Sequence, residues 1–406
     1  MTISRRVLIG SAVLAGTLPR PGRAQTPVVR IGVMNDQSGV YRDDTGPTGA
    51  LCVRQAVQEF AAGKEMVVEV LVADHQNKPD IGASIARQWF DTQGVDVIVD
   101  VPTSSVALAV NSICREKNKV YLNSGAATAD LTGAQCSPNT VHWTYDTYML
   151  AKSTGGAMVR AGGDSWYFIT ADYVFGQQLQ RDTTKFVTAA GGKVLGASQY
   201  PFPATSDFSA MLLQAQASGA KVLGLCNSGG DTINCLKQAH EFGLMQTMKV
   251  AALLMYNSNV HAVGLDIAQG LLLTETYYWD LNDRTRAFMS RIKDKTPKQW
   301  PNMIQAGNYA ATLHYLKAVA DLGVPVAKAD GRAVVERMKA LPTDDDCFGA
   351  GMIRADGRKI HPSYLFRAKS PAESKSERDC LKLVTTTPAD QAFRPMSEGG
   401  CALVKS

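Results

Sequence analysis

The sequence predicts an α/β protein built as two doubly wound lobes. Short β-branched runs alternate with amphipathic helical stretches at intervals of about 25 to 30 residues, as successive right-handed β-α-β units do. Many of the runs are apolar throughout, as expected for parallel strands covered on both faces. The spacing breaks at Thr144–Tyr148, so nine strand candidates read as two sheets rather than one.

In chain order, the β-branched runs place strands at 28–34, 66–73, 95–101 and 119–123, then at 166–170, 193–199, 221–226, 249–254 and 270–276. Apolar residues at helical spacing place helices between them at 49–62, 81–91, 106–117, 149–161, 176–190, 207–217 and 231–242. Beyond Thr276 the pattern turns helical, at 283–295, 303–322 and 332–341. Asp356-Gly357 between β-type flanks then marks a hairpin within Ile353–Ile360. The polar stretch from Ser370 to Ser406 contains Cys380 and Cys401 and reads as a tail pinned by a disulfide.

The 406 residues, 45% hydrophobic and 19% charged, suffice for a large core. Net charge is +5, but Arg5, Arg6, Arg20 and Arg23 lie in the first 24 residues, which hold no acid; without them the balance is +1. No basic surface for nucleic acid follows from such a balance. The same 24 residues read as an export signal: an arginine pair, an apolar run from Val7 to Leu18, and Gly22-Arg23-Ala24 ahead of cleavage. The run is shorter than the roughly 20 residues a spanning helix needs. The arginine pair favours the twin-arginine route, with Sec as the alternative. Either route places the mature chain in the periplasm, where eight cysteines default to disulfides. Their spacing leaves 105 pairings open.

Catalytic and metal signatures are missing from the motifs. The histidines are scattered, with no His-Glu-x-x-His, no Gly-x-Ser-x-Gly elbow and no phosphate loop, and Asn35–Gly39 after the first strand lacks the dinucleotide fingerprint. The expectation is a protein without metal or cofactor and without enzyme activity; a hydrolase whose triad assembles in space is the competing class. Two loops carry a positive signal. Pro102-Thr103-Ser104-Ser105 and Asn123-Ser124-Gly125-Ala126-Ala127-Thr128 each follow a strand and lead into a helix start. Small residues, hydroxyls and unpaired helix N–H groups there suit a carboxylate at the end of the sheet where open α/β folds bind ligands.

These loops, together with Ile169–Gly176 and the pattern Gly349-x-Gly351-x-Ile353-Arg-x-Asp356-Gly357-Arg358, resemble the extracellular solute-binding proteins of branched-chain-amino-acid-type ABC transporters. The resemblance covers most of residues 28–368. It implies a type I periplasmic-binding fold, two doubly wound α/β lobes joined by a three-segment hinge, with crossings near 144–148, 276–280 and 346–351. Lobe one would comprise 25–145 plus 278–347, lobe two 146–277 plus 348–369, and the tail 370–406.

By the same resemblance, Ser104, Ser105, Ala126, Ala127 and Thr128 would hold a ligand carboxylate, and the loop Asp172–Phe175 would close over it. Tyr41 and Tyr145 would line the cleft. Amino-acid binders of the family place an acid after the strand matching 249–254, where this chain reads Leu253-Leu254-Met255-Tyr256. A buried ammonium there would lack its counter-charge, although Asp172, Asp146 or Asp231 could substitute. An aromatic or other organic acid therefore fits better than a branched-chain amino acid, with Tyr173, Phe175, Met255 and Tyr278 supplying aromatic and soft apolar contacts. The resemblance further implies the pairings Cys114–Cys136, Cys226–Cys235, Cys380–Cys401 and Cys52–Cys347, a membrane permease as partner, and a monomer. A periplasmic ligand sensor is the alternative role.

Overall fold

The computed structural model describes residues 27–404 apart from 63 and 65, and the expected signal segment lies outside them. The first sheet holds β1 (Val28–Asn35), β2 (Val67–Asp74), β3 (Val97–Asp100), β4 (Val120–Asn123) and β5 (Thr140–His142), all parallel in the order β2-β1-β3-β4-β5. Alternation along β1 explains its place. Val29, Ile31 and Val33 face the main core beneath the helices Gly46–Ala61 and Met303–Leu322, while Met34 faces a second core beneath Pro79–Thr92 and Ser104–Glu116. With both faces covered, the strand is buried from Ile31 to Asn35, and Arg30 lies at its partly exposed start. Helix Met303–Leu322 is mostly buried, with polar Gln305, Asn308, Thr312 and His314 enclosed among its apolar residues.

The second sheet holds β6 (Ser165–Ala171), β7 (Lys193–Tyr200), β8 (Val222–Cys226) and β9 (Lys249–Ala252), parallel in the order β7-β6-β8-β9. An antiparallel sheet of β10 (Leu272–Glu275), β13 (Ser363–Ala368) and β14 (Leu381–Thr387) extends this lobe; Leu273, Phe366 and Leu381 share its core. β14 belongs to the stretch read as a tail pinned by a disulfide. Its residues are mostly exposed, but Leu381, Leu383 and Val384 followed by three β-branched threonines are a strand signal that the sequence reading passed over.

The third passage between lobes differs from the expected 346–351. β11 (Met352–Ile353) and β12 (Lys359–Ile360) form the expected hairpin, but Arg358 bridges His142 at the edge of the first sheet. The chain therefore stays with lobe one until His361, whose Nε2 lies 3.0 Å from the Trp143 carbonyl oxygen, and enters β13 just beyond Pro362. Buried Arg358 ties this passage to the first. Its guanidinium donates to the Thr144 carbonyl, pairs with Asp146 at 3.1 Å and lies over the Phe393 ring.

The cysteine pairings are corrected by the structure. The disulfide is Cys136–Cys401, which fastens the C-terminal segment to lobe one. Cys52, Cys114, Cys226, Cys235, Cys347 and Cys380 are free and buried. Cys114 and Cys235 sit on the inward faces of their helices, where a thiol serves as a small apolar filler, and burial pushes both thiols well up from their ordinary value. Arg394 lays the tail on lobe one by donating to the Ala129 carbonyl at 3.0 Å, which brings Cys401 to Cys136.

Candidate functional site

The cleft between the lobes is built on the loops that follow β3 and β4. Asp100 and Val101 both adopt left-handed backbone, with φ of 84° and 63°, turning the chain sharply into Pro102. Asn35 and Asn308 hold this turn by donating to the Asp100 carboxylate at 3.0 and 2.7 Å. Burial pushes that carboxyl up to about 7. In the neighbouring loop, Asn123 donates to the Ala126 carbonyl and accepts from its N–H, at 2.8 and 2.9 Å. Gly125 makes the close approach between the two loops possible: a Cβ there would lie 2.5 Å from the Asp100 carboxylate and 2.6 Å from Pro102 Cα.

Tyrosines join the lobes across this floor. The Tyr145 hydroxyl lies 2.6 Å from the Gly125 carbonyl oxygen and 2.7 Å from the Tyr256 hydroxyl of lobe two. Tyr41 meets Tyr173 hydroxyl to hydroxyl at 2.6 Å, and Phe202 stacks on both rings. Burial raises all four phenols well above their ordinary value, so they stay protonated. Gly230 N–H to Val40 carbonyl at 3.0 Å and Gln178 to Asp130 at 2.7 Å also bridge the lobes.

Five residues expected at the site line this cleft: Tyr41, Ala127, Tyr145, Tyr173 and Phe175. The others stand back from it. Ser104 is buried at the helix start with its hydroxyl unpartnered, Ser105 is half-buried and Ala126 is fully enclosed. Thr128 caps the short helix Ala129–Thr132, accepting from Asp130 N–H. Asp172 is exposed and accepts from Gln177. Met255 packs in the core of lobe two, and the Tyr278 hydroxyl accepts from the Cys380 N–H at 3.2 Å, holding the C-terminal segment.

Sequence reading had Pro102 and Gly125 within its two loops but missed Asp44, Thr45, Ser228, Leu254, Tyr256 and Ile304 in the lining. Period-two alternation beyond β9 could have found two of these, since it turns Leu254 and Tyr256 one way and Met255 the other. Ile304 belongs to a distant helix and carried no such signal. Asp44 is 1% exposed; Asn259 of lobe two donates to its Oδ1 at 2.7 Å, and Oδ2 has no protein partner. Burial pushes its carboxyl up to about 7. The acids weighed earlier are occupied elsewhere: Asp146 by Arg358, Asp231 by the Tyr200 hydroxyl at 2.7 Å, and Asp172 by Gln177.

A profile described as "Periplasmic binding protein" matches residues 28–375. The chain belongs to the periplasmic binding protein family. A crystal structure of a periplasmic binding protein from Burkholderia mallei is 46% identical, with 93% of this chain and 99% of that chain covered and a TM-score of 0.88. A branched chain amino acid ABC transporter periplasmic ligand-binding protein from Burkholderia xenovorans is 36% identical over 92% of this chain and 99% of its own, with a TM-score of 0.79. Among curated proteins, Leu/Ile/Val-binding protein homolog 4 of Brucella abortus is 22% identical over 59% of each chain, so this periplasmic binding protein matches little more than half the length of that relative. An R. palustris solute binding protein in complex with benzoate, 19% identical with a TM-score of 0.78 and 93% of this chain covered, shares the fold.

Proposed function

We propose that this periplasmic binding protein is the solute receptor of an ABC importer, capturing a small carboxylate with an aromatic or other apolar body by closing its two lobes. The observation that carries the reading is the paired tyrosines Tyr145–Tyr256 and Tyr41–Tyr173, which join the lobes at the walls of one narrow cleft. Phe175, Leu254 and Ile304 make those walls apolar, and Gly125 and Ala127 expose loop backbone to a ligand. Ser104 and Ser124, beside these loops, keep buried hydroxyls without a protein partner. The carboxylate docks first on lobe one, and contacts from lobe two shift the population toward the closed form. A membrane permease then reads the closed shape, and no bond is made or broken. The benzoate bound by the R. palustris relative supports an aromatic acid, while Asp44 favours a second reading, an amino acid whose ammonium meets that carboxylate.

A thermal-shift series with benzoate, 4-methylpentanoate, L-leucine and L-phenylalanine tests the receptor. A ligand that binds only the folded state raises Tm. A rise with carboxylates that is lost in Tyr145→Ala is expected. No shift with any carboxylate, or turnover of one, would overturn the reading.

A further inference from the structure

We propose that Asp44 is the specificity-determining residue of the cleft, its free Oδ2 accepting an O–H or N–H donor carried by the bound carboxylate's body. The inference rests on the carboxylate-receptor reading above and narrows its ligand to acids that bear such a donor.

Asp44 lines the cleft with Tyr41, Tyr256 and Ser228. Every other hydrogen-bonding part of the residue is committed. Its N–H donates to the Tyr41 carbonyl at 3.0 Å and its carbonyl accepts from Asn302 at 3.0 Å. Oδ1 accepts from Asn259 at 2.7 Å and from Ser258 at 3.4 Å. Oδ2 alone is buried without a partner. A carboxylate oxygen left so is costly, and a purely structural link to Asn259 would need only one acceptor.

The charge around Asp44 agrees with this role. Burial raises its carboxyl, Asp43 and Asp36 add to the rise, and no described lysine, arginine or histidine pairs with it. A donor from the ligand would supply the missing partner. One carboxylate would then hold lobe two through Asn259 and the ligand through Oδ2, joining recognition to closure. The donor can be a hydroxyl or an ammonium, which share this chemistry.

Matched ligands separate the sources. Calorimetry would compare 4-hydroxybenzoate with benzoate, and L-leucine with 4-methylpentanoate, in wild type and Asp44→Asn. At least one donor-bearing acid should bind at least tenfold tighter than its donor-free counterpart, and Asp44→Asn should remove that gap. The pair that shows the gap identifies hydroxyl or ammonium. Equal affinities within both pairs, or an equal loss for all four acids in Asp44→Asn, would overturn the assignment and leave the receptor reading standing. Binding of none of the four by the wild type would instead remove the carboxylate reading and this inference with it. Should Asp44→Asn not fold, the wild-type ratios decide alone.

Discussion

The Tyr145 hydroxyl of lobe one lies 2.7 Å from the Tyr256 hydroxyl of lobe two, and the same Tyr145 oxygen reaches the Gly125 carbonyl at 2.6 Å. One phenol therefore joins a lobe-one loop to the wall of lobe two. Tyr256→Phe removes the link between lobes but keeps the ring. A hydrogen bond of this kind contributes about 1 kcal/mol, so ligand affinity should fall roughly fivefold. Calorimetry on the carboxylate found by thermal shift would check this, with Tm nearly unchanged.

Gly229 opens the helix Gly229–Glu241 with φ of 60°, and a Cβ there would lie 2.5 Å from the Val40 carbonyl of lobe one. Gly229→Ala should hold the lobes apart. Left-handed alanine costs about 1–2 kcal/mol by itself, so the protein still folds. Small-angle scattering should show a larger radius of gyration, and binding should weaken at least tenfold. An unchanged affinity would show that closure does not bring the lobes this near.

Arg358 pairs with Asp146 where both are buried, and it joins the first and third passages between the lobes. Arg358→Met leaves Asp146 without its counter-charge. Unfolding free energy should drop by about 3–5 kcal/mol, and Asp146→Asn in the same background should recover part of it. Chemical denaturation of the three variants measures the coupling.

A single disulfide, Cys136–Cys401, closes a loop of 265 residues. Thiol titration in denaturant should find six reactive groups in the unreduced protein and two more after reduction. Cys401→Ser should cost roughly 2–4 kcal/mol, and reductant should lower the wild-type Tm to that of the variant.

Asp100 titrates near 7 in the folded protein and near 3.8 as the free residue, because burial disfavours its charge. Its contribution to stability is thus complete below pH 4 and is lost as pH rises to 7, by up to about 4 kcal/mol. His75, His314 and His361, pushed down to about 4, 4 and 3 by burial, oppose it by losing stability as pH falls below 6.5. The difference in unfolding free energy, wild type minus Asp100→Asn, isolates the carboxyl. It should decline steadily from pH 4.5 to 7; a flat difference would show that Asp100 is ionised throughout.

Much of the architecture is legible in local pattern. Val29, Ile31 and Val33 mark β1 as a strand with one face in the main core, and Met34 faces the second layer. β14 carries the β-branched run Val384-Thr385-Thr386-Thr387, but most of it stays exposed in its pairing with β13 and it lies within an otherwise polar segment, so it did not stand out. At the cleft, Tyr41, Tyr145, Tyr173 and Phe175 could be named from loops at strand ends, a position that the fold class dictates.

Residues whose role depends on a distant partner could not be named. Asp44 becomes a cleft residue because Asn259, more than two hundred positions away, binds one of its oxygens and leaves the other free. Cys136 and Cys401 meet because Arg394 docks the tail on lobe one. Periodicity by itself determined the α/β class and the order of its main strands and helices, since burial of one face repeats along the chain with the element's own period. Tertiary structure alone decided which thiols pair, where the third passage lies and which acid enters the cleft, because those depend on distances between segments whose separation along the chain says nothing of their separation in space.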